Sequence, residues 1–429
     1  MRNRVIAIAT CASAVLALGA CGQKLQDAGP SASAGAEPAS LLYWGKWAKG
    51  TPQANLFESV IADYTRQTGV KIDVQWLAQG QEQQVKNAVA TGAGPDFFDT
   101  AIDHTAEFRA AGVLGDMGPI FKTQIPGEGK TIEEVLPKSV IKAISDDKGY
   151  GFVPHSVFSI GLWYDSAKYP DFAPKSFDEL LEIAKKEKAS GRAPIALDGS
   201  VNAYNSFWIH QMLLSTAGPG ILLKLAADPA AWDLPEVKRA AKALESLVKA
   251  DLFEPDYMAT KFPAAQNAWA GGKHSFILNG SWLGSETASL RAAAVKPRVV
   301  AFPPVDPAKG SVATVGALGW GVNAKSKHQK AVADFLAFAM QKKYIDRIGT
   351  DAANIPSRVD SPAPVELQQL QASIRDAEQV TLDGDGVSTV QPKWLADVFL
   401  PLDDKFVAGK LSAEEFLAEG KAKTAAMNG

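Results

Sequence analysis

The sequence predicts an α/β fold, because runs with the two-residue period of strands alternate with runs at helical spacing along most of the chain beyond residue 40. Two further observations frame it. The first forty residues read as a leader and tether that stand apart from the fold. The body that follows exceeds the roughly 250–300 residues at which one hydrophobic core usually gives way to two domains.

Arg2 and Arg4 form a positive start, and Val5 to Ala20 is apolar or small with no charge, so residues 1–20 are expected to be a signal peptide. That run falls short of the ~20 apolar residues that span a bilayer, and nothing later comes close, which disfavours a permanent transmembrane helix. Residues 21–40, rich in Ala, Ser, Gly and Pro, read as a flexible tether with a mean reach of roughly 25 Å. Cys11 and Cys21 are the only cysteines, so the body has no disulfide, catalytic thiol or thiolate metal site. A formal net charge of −3 with mixed signs and no basic stripe argues against nucleic acid as a partner.

The body opens with a strand at Leu41 to Trp44, followed by a helix from Pro52 to Gln67 that carries Leu56, Val60, Ile61 and Tyr64 on one face and ends at Gly69. Val70, Ile72, Val74 and Trp76 alternate as a second strand. A helix from Glu82 to Thr91 leads to a third strand around Phe97 and Phe98, and this βαβαβ order implies a parallel sheet. Val157 to Tyr164 reads as one strand, and Ser176 with Glu179 as a capping box opening a helix through Lys188. Further helices fit Asn205 to Ser215, Glu236 to Ala250, Pro263 to Ala270 and Lys327 to Gln341, with strands at His274 to Leu278 and Arg298 to Phe302. The last forty residues are mostly helical, from Lys393 and again from Ala413.

Catalytic signatures are missing. There is no Gly-x-Ser-x-Gly elbow, and the histidines at 104, 155, 210, 274 and 328 include no pair at helical ligand spacing. Ser145-Asp146-Asp147-Lys148 matches Ser-x-x-Lys but is a polar turn without a Lys-Thr-Gly partner, and Gly129-Lys130-Thr131 lacks the earlier glycine of a phosphate loop. Asp383-Gly384-Asp385-Gly386 continues into Val and Ser where a calcium loop needs oxygen ligands and Gly, so it reads as a tight turn. No metal or cofactor is expected. A glycoside hydrolase needs only two carboxylates about 5 to 9.5 Å apart, so a secreted enzyme of that kind stays open as an alternative.

Leu18-Gly19-Ala20-Cys21 resembles the lipobox of bacterial lipoprotein precursors. That resemblance implies lipid on Cys21, cleavage just before it, and a body held on the extracytoplasmic side of the cell membrane by the anchor alone. Beyond Leu41 the chain resembles the family 1 extracellular solute-binding proteins of ABC importers. The resemblance is carried by Leu42-Tyr43-Trp44, Gly94-Pro95-Asp96-Phe97-Phe98 with Asp103, Tyr150-Gly151-Phe152-Val153-Pro154 running into Gly161-Leu162-Trp163-Tyr164-Asp165, Leu278-Asn279-Gly280-Ser281-Trp282, Gly316-Ala317-Leu318-Gly319-Trp320-Gly321-Val322 and Asn354-Ile355-Pro356-Ser357. Their order and spacing are more specific than any one piece. It implies a two-lobed periplasmic-binding-protein-like fold with a ligand cleft between lobes. Lobe one is expected over 41–154 plus 316–355, and lobe two over 155–315 plus 356–429. The implied ligand is a sugar or oligosaccharide, and the implied partners are the permease subunits of an ABC importer, served by a monomer. A binder of another small solute, such as a peptide, polyamine or chelate, is the alternative on the same fold.

A sugar offers hydroxyls that donate and accept, and C–H faces that shed water, so its binder needs polar side chains and flat aromatic rings. Lys46 and Trp47 follow the first strand, where the family places cleft contacts; an exposed turn is the competing reading. Asp103 stands where the family's carboxylate accepts a hydroxyl, or serves as a helix N-cap. Asn279 and Trp282 leave an apolar strand at a Gly-containing turn, with Trp282 as the stacking platform by family position, or packed at a helix start. Tyr204, Asn205 and Trp208 open a helix of lobe two, Trp320 lies near the second crossing, and Trp394 matches a late aromatic platform or packs in the core. Trp44, Trp76 and Trp269 read as core residues.

Overall fold

The computed structural model describes residues 40–429 except Gln79 and Ser311. The expected signal peptide, the lipidation on Cys21 and the tether before Ser40 lie outside the described residues. Among the described residues no helix is long and apolar enough to cross a membrane.

The strand Ser40–Gly45 buries Leu41 and Tyr43 against the helix Pro52–Thr68, whose inner face is Leu56, Phe57, Val60, Ile61 and Tyr64. That helix begins where Thr51 accepts the Ala54 N–H at 3.4 Å with Pro52 next in line, and stops at Gly69, whose φ of 76° most other residues resist. Strand Ser40–Gly45 pairs parallel with Lys71–Trp76 on one side and Phe97–Ala101 on the other, in line with the βαβαβ pattern. Phe97–Ala101 is buried at every position because helices cover both faces. The finished sheet has six strands, in the order Ile355–Pro356, Val153–Phe158, Gly316–Val322, Phe97–Ala101, Ser40–Gly45, Lys71–Trp76.

A second sheet orders Pro297–Val300, Ile160–Asp165, Phe276–Gly280 and Ile195–Ala196. The helices Asn202–Ala217, Pro235–Lys249, Leu400–Val407 and Ala413–Asn428 gather with it around a separate core that includes Trp208, Trp232, Leu244, Phe406 and Phe416. The capping box expected at Ser176 forms only in half. Ser176 accepts the Glu179 N–H at 3.2 Å, but the Glu179 carboxylate turns to the Lys175 N–H at 2.7 Å. The complete box stands at Ser412 and Glu415, opening the last helix.

Val157 to Tyr164 is not one strand. Val153–Phe158 belongs to the six-stranded sheet and Ile160–Asp165 to the other, so the chain crosses at Ser159, beyond the boundary expected after residue 154. Hydrophobic period could not reveal the break, because the residues on either side of Ser159, Phe158 and Ile160, are both apolar and continue the run. A second crossing runs from Val312–Thr314, paired with Gln379–Thr381, into Gly316–Val322. The two crossings are tied together: the Ser159 and Thr314 hydroxyls lie 3.0 Å apart, and the Ile160 N–H donates to Thr314 Oγ1 at 3.2 Å. At the third crossing Ile355–Pro356 pairs with Val153–Phe158, and attachment to that side continues past residue 356. Ser357 Oγ donates to the Pro154 carbonyl at 2.7 Å and the Val359 N–H to Val135 at 2.9 Å.

Between Leu318 and Gly319 the register of the central strand slips by a bulge. A methyl group on Gly319 would lie 2.1 Å from the Val153 carbonyl oxygen, backbone that has no room to retreat. Gly319→Ala should therefore destabilise the protein by about 2 kcal/mol or more. Urea unfolding checks this, and a midpoint equal to wild type would mean the bulge is free to move.

Candidate ligand-binding cleft

Strand direction locates the cleft. In the first sheet the parallel strands end at Gly45, Trp76 and Ala101, and in the second sheet Ile195–Ala196 runs parallel to Phe276–Gly280, with Ala196 opposite Ile277. Phe158 pairs with Gly316, and Ile160 with Gly280, so both crossings meet the two sheets at these same ends. Loops leaving the carboxyl ends of both sheets thus converge on one side of the hinge, where open α/β sheets hold ligands.

The wall from the six-stranded sheet is polar. The Lys46 N–H donates to Asp99 Oδ2 at 2.9 Å, which holds the loop after the first strand, and Lys46 Nζ pairs with Glu82 Oε1 at 3.2 Å. Asp99 is itself fully buried, and Gln81 braces this corner by donating to the carbonyls of Asp99 at 3.0 Å and Trp44 at 3.3 Å. Burial acts to raise the Glu82 pKa, but its own backbone N–H, Lys46 and His104 hold it below the usual carboxylate value. Lys46 therefore meets an ionised partner. Trp47 is half-buried, and its indole N–H has no acceptor among the described residues. Trp76 lies over Gly45, where a Cβ would meet its ring at 2.2 Å, and its Nε1 donates to Glu58 at 2.8 Å. Asp103 presents an exposed carboxylate. It caps no helix with its side chain, and its carbonyl accepts Thr389 Oγ1 at 3.3 Å from the opposite side of the cleft.

The other wall is aromatic. Trp282 lies across Gly280, where a Cβ would sit 2.2 Å from the ring, so only glycine lets the indole fold back over the strand end. Its half-exposed face meets Phe158 edge to face, with ring centroids 5.9 Å apart. The half-buried Tyr204 hydroxyl stands beside Trp282, with its pKa raised by burial.

The remaining expected residues serve other ends. Asn205 is fully buried and donates to the Gly199 carbonyl at 2.9 Å and to Asp404 at 2.8 Å, holding the loop before its helix. Asn279 is buried under the turn, its Oδ1 accepting the Gly280 N–H at 2.7 Å. Trp208 packs in the second core against Phe253 and Phe302, its centroid 5.4 Å from the former. Trp320 is enclosed by Phe57 and His155 within the first core. Trp394 stacks on Phe399 and donates to Thr424 at 2.9 Å, which is the core reading and not the platform. The structure places these three indoles in the cores, because proximity in sequence to a crossing or loop does not say which way a side chain turns. Glu82, Phe158 and Thr389 were missed. Phe158 was hidden inside an apolar run, and Thr389 lies in the short helix Val387–Val390, which has no chemical signature.

Thr389 reaches the opposite wall from a segment pinned by Asp385. That carboxylate accepts the N–H groups of Gly220 and Leu222 at 2.9 Å each and the Thr381 hydroxyl at 2.7 Å. His210, buried, sits 3.7 Å from Asp385 and 3.8 Å from Asp383. Burial acts to lower its pKa, but the two carboxylates prevail and hold it up at about 9, while Asp385 is held down at about 2 against its own burial.

A model of the bacterial extracellular solute-binding proteins matches residues 47–345. The chain belongs to this family of solute-binding proteins. Among relatives of this solute-binding protein, the diacetylchitobiose binding protein NgcE of Streptomyces coelicolor is 22% identical over 296 residues, covering 65% of this chain. The match spans 63% of that relative's own length. The galactooligosaccharide-binding protein of Bacillus subtilis is 19% identical over 376 residues, covering 84% of this chain and 83% of its own. Apo RafE from Streptococcus pneumoniae shares the two-lobed fold with a TM-score of 0.74 at 16% identity, covering 92% of this chain and 100% of its own.

A raised imidazole pKa stabilises the fold fully below the unfolded value near 6.5, and that contribution is lost as pH rises through about 9. The stability advantage of wild type over His210→Gln should therefore shrink across this window, by no more than about 3 kcal/mol. Urea melts at pH 6 and pH 9.5 measure it; an advantage independent of pH would show that His210 does not titrate there.

Proposed function

We propose that this protein is the substrate-binding lipoprotein of an ABC importer, capturing a sugar or oligosaccharide in its interlobe cleft and handing it to the membrane permease without transforming it. The observation that carries the reading is Trp282, a half-exposed indole folded over Gly280 on one wall, set across the cleft from the polar wall of Lys46, Glu82 and Asp103. The ring suits the C–H face of a pyranose, and the opposite wall suits its hydroxyls. Relatives named for binding diacetylchitobiose and galactooligosaccharides support the same ligand class.

The binding set in this reading is Lys46, Trp47, Asp103, Tyr204 and Trp282, with Phe158 beside them; Asn205 and Asn279 act from beneath. Lobe one comprises 41–158 with 316–359, and lobe two 159–315 with 360–429, the boundaries set at the Ser159 crossing and past the bond from Val359 to Val135. Sugar docks on one wall, and closure brings the other onto it. Ligand shifts this equilibrium only by binding the closed form more tightly. Cys21 carries lipid, and two or more acyl chains hold the body at the extracytoplasmic face as a monomer beside its permease.

A panel of saccharides should include at least one that raises the Tm of the mature protein. Trp282→Ala should then weaken that sugar's affinity at least tenfold, about 1.4 kcal/mol, by titration calorimetry. Shifts with peptides, polyamines or chelates but no saccharide would overturn the ligand class, and release of reducing sugar from an oligosaccharide would overturn binding without chemistry.

A further inference from the structure

An aromatic surface longer than a single sugar needs runs from the hinge onto lobe two. From the hinge outward, Phe158 meets Trp282 at 5.9 Å, Trp282 adjoins Tyr204, and Tyr204 meets Phe262 edge to face at 6.2 Å. The row follows the carboxyl edge of the second sheet. Trp282 comes off the strand Phe276–Gly280, and Tyr204 off its parallel neighbour Ile195–Ala196, the outermost strand. Each measured ring step is comparable to the length of one pyranose residue.

Phe262 is unusual because it is 47% exposed, yet it is rigidly mounted. Gly199 and Ser200 donate to the carbonyls of Tyr257 and Thr260 at 3.0 and 3.2 Å, strapping the loop that carries Phe262 to the loop that carries Tyr204. A Cβ on Gly199 would lie 2.5 Å from the Tyr257 carbonyl, so the close approach depends on glycine there. On either side of the strap stand buried polar groups. Asp198 accepts the N–H groups of Ala265 at 2.8 Å and Gln266 at 3.2 Å, and Asn205 donates to the Gly199 carbonyl. A large ring left in water contributes little to folding. Buried carboxylate and amide groups are meanwhile committed to fixing its place, which is the arrangement of a preorganised contact.

We propose that the site takes a saccharide chain of several rings, running from Phe158 and Trp282 near the hinge over Tyr204 to an outer subsite at Phe262. This rests on the sugar-binding reading and adds the length of the ligand to it. Phe262 touches the distal ring, Trp282 the proximal one, and Asp198 and Asn205 are positioning residues that act through the strap.

The test is titration calorimetry of the mature protein with glucose, N-acetylglucosamine, maltotetraose, cellotetraose and chitotetraose. At least one tetramer should bind tenfold or more tightly than its monomer. Phe262→Ala should remove at least fivefold of that gain while leaving monomer affinity and Tm unchanged, Phe262→Tyr should restore it, and Trp282→Ala should weaken monomer and tetramer alike. Equal affinity for monomer and tetramer, or a tetramer affinity indifferent to Phe262→Ala, overturns the outer subsite while leaving sugar binding intact. Failure of every saccharide to bind wild type overturns the sugar-binding reading, and this proposal with it.

Discussion

The molecule depends on how strands leave one sheet for another at Ser159 and Thr314. A strand that departs a sheet strands its backbone N–H groups, and an unpaired buried N–H costs free energy comparable to a lost hydrogen bond. Here the Thr314 side chain takes the Ile160 N–H, and its hydroxyl is bonded in turn to Ser159, so side chains replace the missing ladder at the point of crossing. Because Phe158 pairs with Gly316 and Ile160 with Gly280 on either side of that point, the same constraint aligns the carboxyl ends of both sheets. The cleft is a consequence of this alignment.

Glycine then decides what lines the cleft. Gly45 and Gly280 end strands whose next side chains would otherwise crowd the loops, and at each an indole lies flat where a Cβ would be, Trp76 over the first and Trp282 over the second. Gly316 does the same beneath Phe158, where a Cβ would meet the ring at 1.9 Å. At these three places the ring packs on backbone and stays partly exposed, whereas Trp232, which lies over Gly420 in the same way, is wholly buried. The amphipathic residues Trp208, Trp320 and Trp394 are enclosed on all sides and spend their indoles on the two cores.

Much of the fold was legible because burial leaves a period. The helix Pro52–Thr68 and the strands around it were placed by apolar spacing, Thr51, Pro52 and Gly69, all of which act through the local chain. The candidate site was legible only in part. Lys46, Trp47, Asp103, Tyr204 and Trp282 could be proposed because polar or aromatic residues interrupt the pattern just after strands. Asn205 and Asn279 interrupt it too, yet their amides turn inward to backbone carbonyl and N–H groups, a choice made by neighbours distant in sequence such as Asp404. Phe262 stood outside every apolar run beside a proline, a signal present but readable only once the loop from Tyr257 was seen strapped to Gly199.

By itself the sequence determined the alternation of strand and helix, the parallel pairing of the first three strands, which the antiparallel Gly316–Val322 then makes part of a mixed sheet, and the family resemblance that names two lobes, since these follow from spacing along the chain. Tertiary structure alone decided that Val157 to Tyr164 is two strands in two sheets, that three expected cleft tryptophans are core, and that Asp385 and His210 pin the segment carrying Thr389. The physical reason is common to all three. Each turns on which way a residue faces and what a distant segment offers it, and a hydrophobic residue has the same period whether the surface that covers it is protein or ligand.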